Sequence, residues 1–216
     1  MDIHIRTQVE FEKVIPNEWE HSISYTRSRM CVQQSLDTQD SKKHLKRRLI
    51  EYVKLSNKMF DYMTTKQTTP LLTQPTFDWS IDGEKIQSSC WRLEKIMPAI
   101  ALTRILEREG LELITNESYK EAAQTFSSSL EYHDLIETEL KCWEWKTGEL
   151  NHNDLQLDWH VSRSLFLNGL RDMCTLCVGI QKQLSPTVLF KLSERIIEKF
   201  VLSIAKWNNS DAGLYL

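Results

Sequence analysis

Breakers are scarce in this chain. Six glycines and five prolines among 216 residues leave little of the punctuation that loop-rich or many-stranded folds need, and this favours long helices. No run approaches the roughly 18 consecutive apolar residues of a membrane-spanning helix. The opening MDIHIRTQVEF lacks the apolar stretch of a secretory signal. A cytosolic or nuclear setting is therefore expected. Charge of one sign is not in excess: a net charge of -3 exerts no overall pull toward nucleic acid. Catalytic signatures are missing as well. The chain has no G-x-G-x-x-G, Walker A, G-x-S-x-G, H-E-x-x-H or D-D-x-x-D. No catalytic set, cofactor or metal is expected.

Cysteines and histidines do not alter this. Five scattered cysteines (Cys31, Cys90, Cys142, Cys174 and Cys177) in a chain without a signal read as reduced thiols. The C-T-L-C of Cys174–Cys177 has helical flanks and no second pair, whereas redox motifs of this type follow a strand and zinc sites need two more ligands. At three-residue spacing on an amphipathic helix, two cysteines are more economically core side chains. His152 and His160 flank Trp159 without metal spacing.

What is present is helical periodicity. Ile3, Ile5, Val9 and Phe11 alternate with polar residues, which predicts an N-terminal strand within residues 1–15. Helices are predicted over Trp19–Leu36, with Trp19, Ile23, Met30 and Cys31 inward, and over Ser41–Met63, with Leu45, Leu49, Tyr52, Val53, Met59, Phe60 and Met63 inward. Residues 64–83 read as a linker. A further helix spans Ile86–Leu106, where Pro98 predicts a kink or break near Met97 and Gly110 closes the segment. Helices over Glu117–Trp145, Asp154–Leu184 and Thr187–Trp207 follow, then a flexible tail at 208–216. Short connectors favour antiparallel neighbours. The expected fold is mainly α: one domain over 1–216, an antiparallel helical bundle or hairpin array with a short N-terminal strand.

Three local features carry interest. Lys43, Lys46, Arg47, Lys54 and Lys58 share one face of the second helix; that stripe suits anionic lipid, acidic protein or RNA, but Glu51 and Asp61 dilute it toward an ordinary solvated face. Trp143, Trp145 and Trp159 surround one interhelix turn, as packing anchors or as a partner surface. The stretch TFDWSIDG, Thr76–Gly83, places Phe77 and Trp79 inside a connector, where polar residues are the rule.

Taken in order, these pieces resemble the Bro domain family, the helical adaptor domains of Alix, Brox and the rhophilins. The resemblance rests on the helix SLDTQDSKKHLKRRLIEYVKLSNKMFDYM, a proline-containing linker, the F-x-W island of Phe77-Asp78-Trp79, and the helices CWRLEKIMPAIALTRI, SYKEAAQTFSSSLEYHDLIE, LDWHVSRSLFLNGLRDMCTLCVGI and PTVLFKLSERIIEKF. It covers most of this chain, while family domains continue with further helices. It implies a shortened, divergent member, with a viral or parasite homologue as one reading, in which Phe77 and Trp79 are buried wedges. It also implies a non-catalytic scaffold whose groove binds the amphipathic C-terminal helix of an ESCRT-III-like subunit in endosomal sorting or virus budding. The groove positions that correspond are Thr175, Leu176, Val188 and Leu192. The last three keep the apolar character of a helix-in-groove contact; Thr175 replaces an aromatic, removing a hot spot of about 2 kcal/mol.

Two other readings compete. A helical nucleic-acid-binding or membrane-coating protein, of viral matrix or nucleocapsid-associated type, would work through the basic face at 42–58. Alternatively, the last helix, with Leu189, Phe190, Ile196, Ile197, Phe200, Val201 and Ile204, is apolar over more than one stripe and could bury its surplus in a homodimer. The adaptor reading implies a cytoplasmic protein, peripheral at endosomal or other membranes.

Overall fold

The computed structural model describes residues 3–5, 22–37, 42–65, 76–142 and 152–209. Two compact units divide the chain, Met1–Leu102 and Thr103–Leu216, with the boundary inside one helix.

The first unit contains a three-stranded antiparallel sheet in the order β1 (Ile3–Ile5), β2 (Phe77–Ile81), β3 (Glu84–Ser88). It also holds α1 (Ser22–Asp37), α2 (Lys42–Thr65) and the start of α3 (Trp91–Thr115). Only β1 matches the expected N-terminal strand; Val9 and Phe11 lie outside the described residues. Within the segment 64–83, Thr64 and Thr65 still belong to α2, and the aromatic island is the central strand β2. Phe77, Trp79 and Ile81 alternate along it, and Asp82 and Gly83, with φ of 51° and 89°, turn the chain into β3. Two successive left-handed residues in a two-residue loop match the right-handed twist of the paired strands. Ile86, expected to open a helix, therefore sits on β3, opposite Trp79.

Phe77, Trp79 and Ile81 are fully buried. Phe77 meets the Trp91 ring edge-on at 5.0 Å. α1 packs antiparallel on α2, as the contacts Tyr25–Ser56 and Arg48–Ser35 show. The buried side of α1 is Tyr25, Arg29, Val32 and Leu36, not the expected Met30 and Cys31, which are exposed. One buried arginine explains the misreading, because an apolar count marks Arg29 as a surface position. α3 opens with Leu93, Ile96, Met97, Ala99, Ile100, Ala101 and Leu102, buried nearly all round. Such a helix is central to its core. It runs through Pro98 without the expected break.

The second unit holds the rest of α3, then α4 (Tyr119–Lys141), a 3₁₀ turn (Asn153–Leu155), α5 (Leu157–Gln181) and α6 (Pro186–Asn209). Trp143 and Trp145 lie outside the described residues, as does 210–216. Gly110 does not close α3: a Cβ there would stand 2.6 Å from Phe126 Cε1, so the glycine lets α4 approach. α3 ends instead at Thr115. Glu117 takes φ of 57°, Glu117 N–H donates to Ile114 O and Ser118 N–H to Leu113 O. This is a Schellman cap with a non-glycine residue at the left-handed position. Ala122, Phe126 and Leu130 of α4 meet Leu167, Leu170 and Cys174 of α5 in the core.

Candidate partner groove

α5 and α6 form an antiparallel hairpin. Its connection repeats the Schellman geometry: Gln183 has φ of 55°, Gln183 N–H donates to Ile180 O and Leu184 N–H to Gly179 O. The hairpin is drawn close by small residues. A Cβ on Gly169 would lie 2.6 Å from the Phe200 ring. Ser162 and Ser203 exchange hydroxyl-to-carbonyl hydrogen bonds of 2.9 Å in both directions.

This register places the expected groove residues on one hairpin. Thr175 and Leu176 stand on α5; Leu192 stands level with them on α6, and Val188 lies one turn nearer the connection. Val188 is 45% exposed and Thr175 is exposed, whereas Leu176 and Leu192 are half-buried. The Thr175 hydroxyl is turned back onto Arg171 O at 3.0 Å, so it offers little apolar surface.

Sequence reasoning missed the charges in line with these residues. Asp172 precedes Thr175 and Leu176 by one turn. Arg195 and Lys199 continue the Val188–Leu192 stripe. The Asp172 carboxylate is buried and accepts from Arg195 Nε at 2.9 Å and Lys199 Nζ at 2.7 Å, with Arg171 at 3.3 Å. Burial alone would raise its pKa, but the hydrogen bonds of Lys199 and Arg195 outweigh that and hold it below the ordinary range. The i, i+4 spacing of Arg195 and Lys199 was readable, but their carboxylate partner lies on another helix.

A second face of the hairpin is apolar and open. Phe190, Ile197, Val201 and Ile204 follow one stripe of α6, each 58% to 63% exposed. At one end this face deepens into a cavity of about 240 Å³ lined by Trp159, Arg163, Phe166, Ile204 and Trp207. The Trp159 and Trp207 rings lie 4.3 Å apart.

The remaining candidates are dispersed. On α2, Lys43, Arg47, Lys54 and Lys58 are exposed and Lys46 is half-buried, while Arg47 pairs with Glu51 at 3.3 Å. Cys174 is buried in the α4–α5 core; burial first, then Cys177, pushes its thiol up to about 11, away from the reactive thiolate. His133 and His160 are buried together in a polar network, another feature that spacing did not reveal. Among the described residues, no helix is long and apolar enough to cross a membrane.

No family model matches this chain, and no curated protein does. Among solved structures, the ALIX BRO1 CHMP4C complex is similar, with a TM-score of 0.71 at 14% sequence identity. The match covers 97% of this chain and 64% of that chain. At such identity it is the fold that is shared: this chain is a divergent, mainly helical Bro1-like fold that spans just under two thirds of the chain it matches.

Proposed function

We propose that this protein is a non-catalytic, Bro-type adaptor whose α5–α6 groove binds an amphipathic helix of an ESCRT-III-like partner. The observation that carries the reading is the likeness of almost the whole chain to a BRO1 domain that forms a complex with CHMP4C. The groove supports it locally. Leu176, Val188 and Leu192 supply an apolar strip with solvent access, and Arg195 and Lys199 extend it with positive charge. Endosomal sorting or virus budding is the setting that such a partner implies, with the protein in the cytoplasm and peripheral at membranes. Thr175 removes an aromatic anchor, so micromolar rather than nanomolar affinity is expected. Titration of an ESCRT-III C-terminal helix peptide against native protein and Leu192→Asp tests this. The substitution should weaken binding at least about tenfold while circular dichroism is unchanged. Equal binding by both proteins removes the groove from the reading.

The exposed cations of α2 favour a second reading, contact with an anionic surface. Binding of that kind weakens steeply with salt. Lys54→Glu with Lys58→Glu should then abolish retention on anionic vesicles or RNA and leave peptide binding intact.

A further inference from the structure

We propose that His133 and His160 form a buried proton-binding site that ties the packing of α4 against α5 to pH. The hydrogens on the four ring nitrogens can be counted from their partners. His133 Nε2 faces Glu107 Oε1 at 2.9 Å, His160 Nε2 faces the Asp154 carbonyl at 2.7 Å, and the two Nδ1 atoms face each other at 3.1 Å. The carbonyl can only accept. Glu107 accepts too: burial alone would raise its pKa, but hydrogen bonds from His133 and Arg163 outweigh this and keep it an anion. Both Nε2 atoms must therefore carry hydrogen. The Nδ1···Nδ1 contact needs a third hydrogen, yet two neutral imidazoles bring only two. The pair is complete with one extra proton, which His133 Nδ1 of α4 donates to His160 Nδ1 of α5.

A second extra proton has no place. It would put N–H against N–H across 3.1 Å, and the rings are 2% and 1% exposed, with no solvent to screen the charge. Among the described residues, the two carboxylates beside the pair, Glu107 and Asp154, are already engaged. On α3, Glu107 accepts from Arg163 of α5, with Nε at 3.0 Å. In the 3₁₀ turn, the Asp154 carboxylate takes Arg104 of α3 and Trp159 Nε1 of α5, with His152 Nδ1 at 3.9 Å. Neither carboxylate is spare to neutralise a second imidazolium. Uptake of that proton must part the rings, and with them the α4–α5 seam.

The direction of the pH effect follows. Burial, and then the charge of His133, lower His160 from 6.5 to about 4. Between those values the unfolded chain binds a proton that the folded chain refuses, so stability falls as pH drops through this window. One proton of difference lowers the folding equilibrium constant up to about tenfold per pH unit. The lowered Glu107 acts in a separate window: its contribution is present above its ordinary 4.5 and is lost below. The range from pH 6.5 to 4.5 therefore separates the histidine pair from Glu107.

Long-range ¹H–¹⁵N spectra of the imidazoles in the native protein test the count directly. At pH 7 three of the four ring nitrogens should carry hydrogen, with both Nε2 among them, and His160 should stay uncharged at pH 5.5. Two neutral rings at pH 7, or a charged His160 at pH 5.5, overturn the proposal. In parallel, urea midpoints should fall between pH 6.5 and 4.5. Amide exchange around His133 and His160 should accelerate before that of the α5–α6 contacts. His160→Asn should flatten the difference, because asparagine offers an acceptor that does not titrate. An acid limb equally steep in His160→Asn overturns it too, and the native spectra decide alone should that variant not fold.

Discussion

Glu94 organises the first unit through one carboxylate. It is fully buried, accepts from Arg29 Nε at 2.6 Å on one oxygen and from Trp79 Nε1 at 2.8 Å on the other, and also takes the Tyr52 hydroxyl. Each donor comes from a different element: α1, β2 and α2. Removing a carboxylate from water costs several kcal/mol, which only close donors offset. Burial, followed by the Glu94 charge, raises both Tyr25 and Tyr52 far above the tyrosine range, so both hydroxyls stay protonated and Tyr52 can only stabilise the anion as a donor. Arg29→Met leaves a buried negative charge without its cation, and should destabilise the protein by about 3–5 kcal/mol in urea unfolding. Adding Glu94→Gln removes that charge and should restore part of the loss. Independent, additive effects in this cycle would show that the two residues do not act as a pair.

At the scale of elements, legibility followed the kind of residue that faces inward. α2 could be read because Leu45, Leu49, Tyr52 and Met59 are both apolar and buried. α1 could not, because Arg29 and Ser35 occupy its inner side. The β2–β3 hairpin was announced by Asp82-Gly83 between alternating apolar residues, a signal masked by the helical spacing that Ile86 shares with α3. Of the candidate site, Leu176, Val188 and Leu192 could be placed on helices, but the Asp172 cluster and the His133–His160 pair join residues on neighbouring helices, 23 to 27 positions apart, which periodicity within one helix cannot show. Gly110 separates local preference from packing. Alanine there raises helix propensity by up to about 1 kcal/mol. Its Cβ would also meet Phe126 at 2.6 Å, and overpacking costs about 1–3 kcal/mol. Packing should win: Gly110→Ala should lower the urea midpoint, and Phe126→Leu should cost less in that background than in the native protein. A stabilised Gly110→Ala would mean that α3 and α4 can yield at this contact.

At the scale of the whole molecule, α6 presents two surfaces with different expected uses. The Val188–Leu192 stripe continues into Arg195 and Lys199, a mixed surface suited to a partner that comes and goes. The Phe190–Ile197–Val201–Ile204 stripe carries four large apolar side chains, each more than half exposed, and adjoins the tryptophan-lined cavity. Contiguous exposed apolar surface of this kind marks an interface or an association liability. One substitution on each stripe tells the uses apart, since neither residue lies on the other's surface. Leu192→Asp should lose the ESCRT-III peptide and sediment as the native protein does. Ile197→Asp should keep the peptide and lower the weight-average mass if the apolar stripe joins two copies. A dimer that Leu192→Asp splits, together with no peptide binding by the native protein, reverses the assignment: the groove is then the self-association surface, and the adaptor reading falls with it.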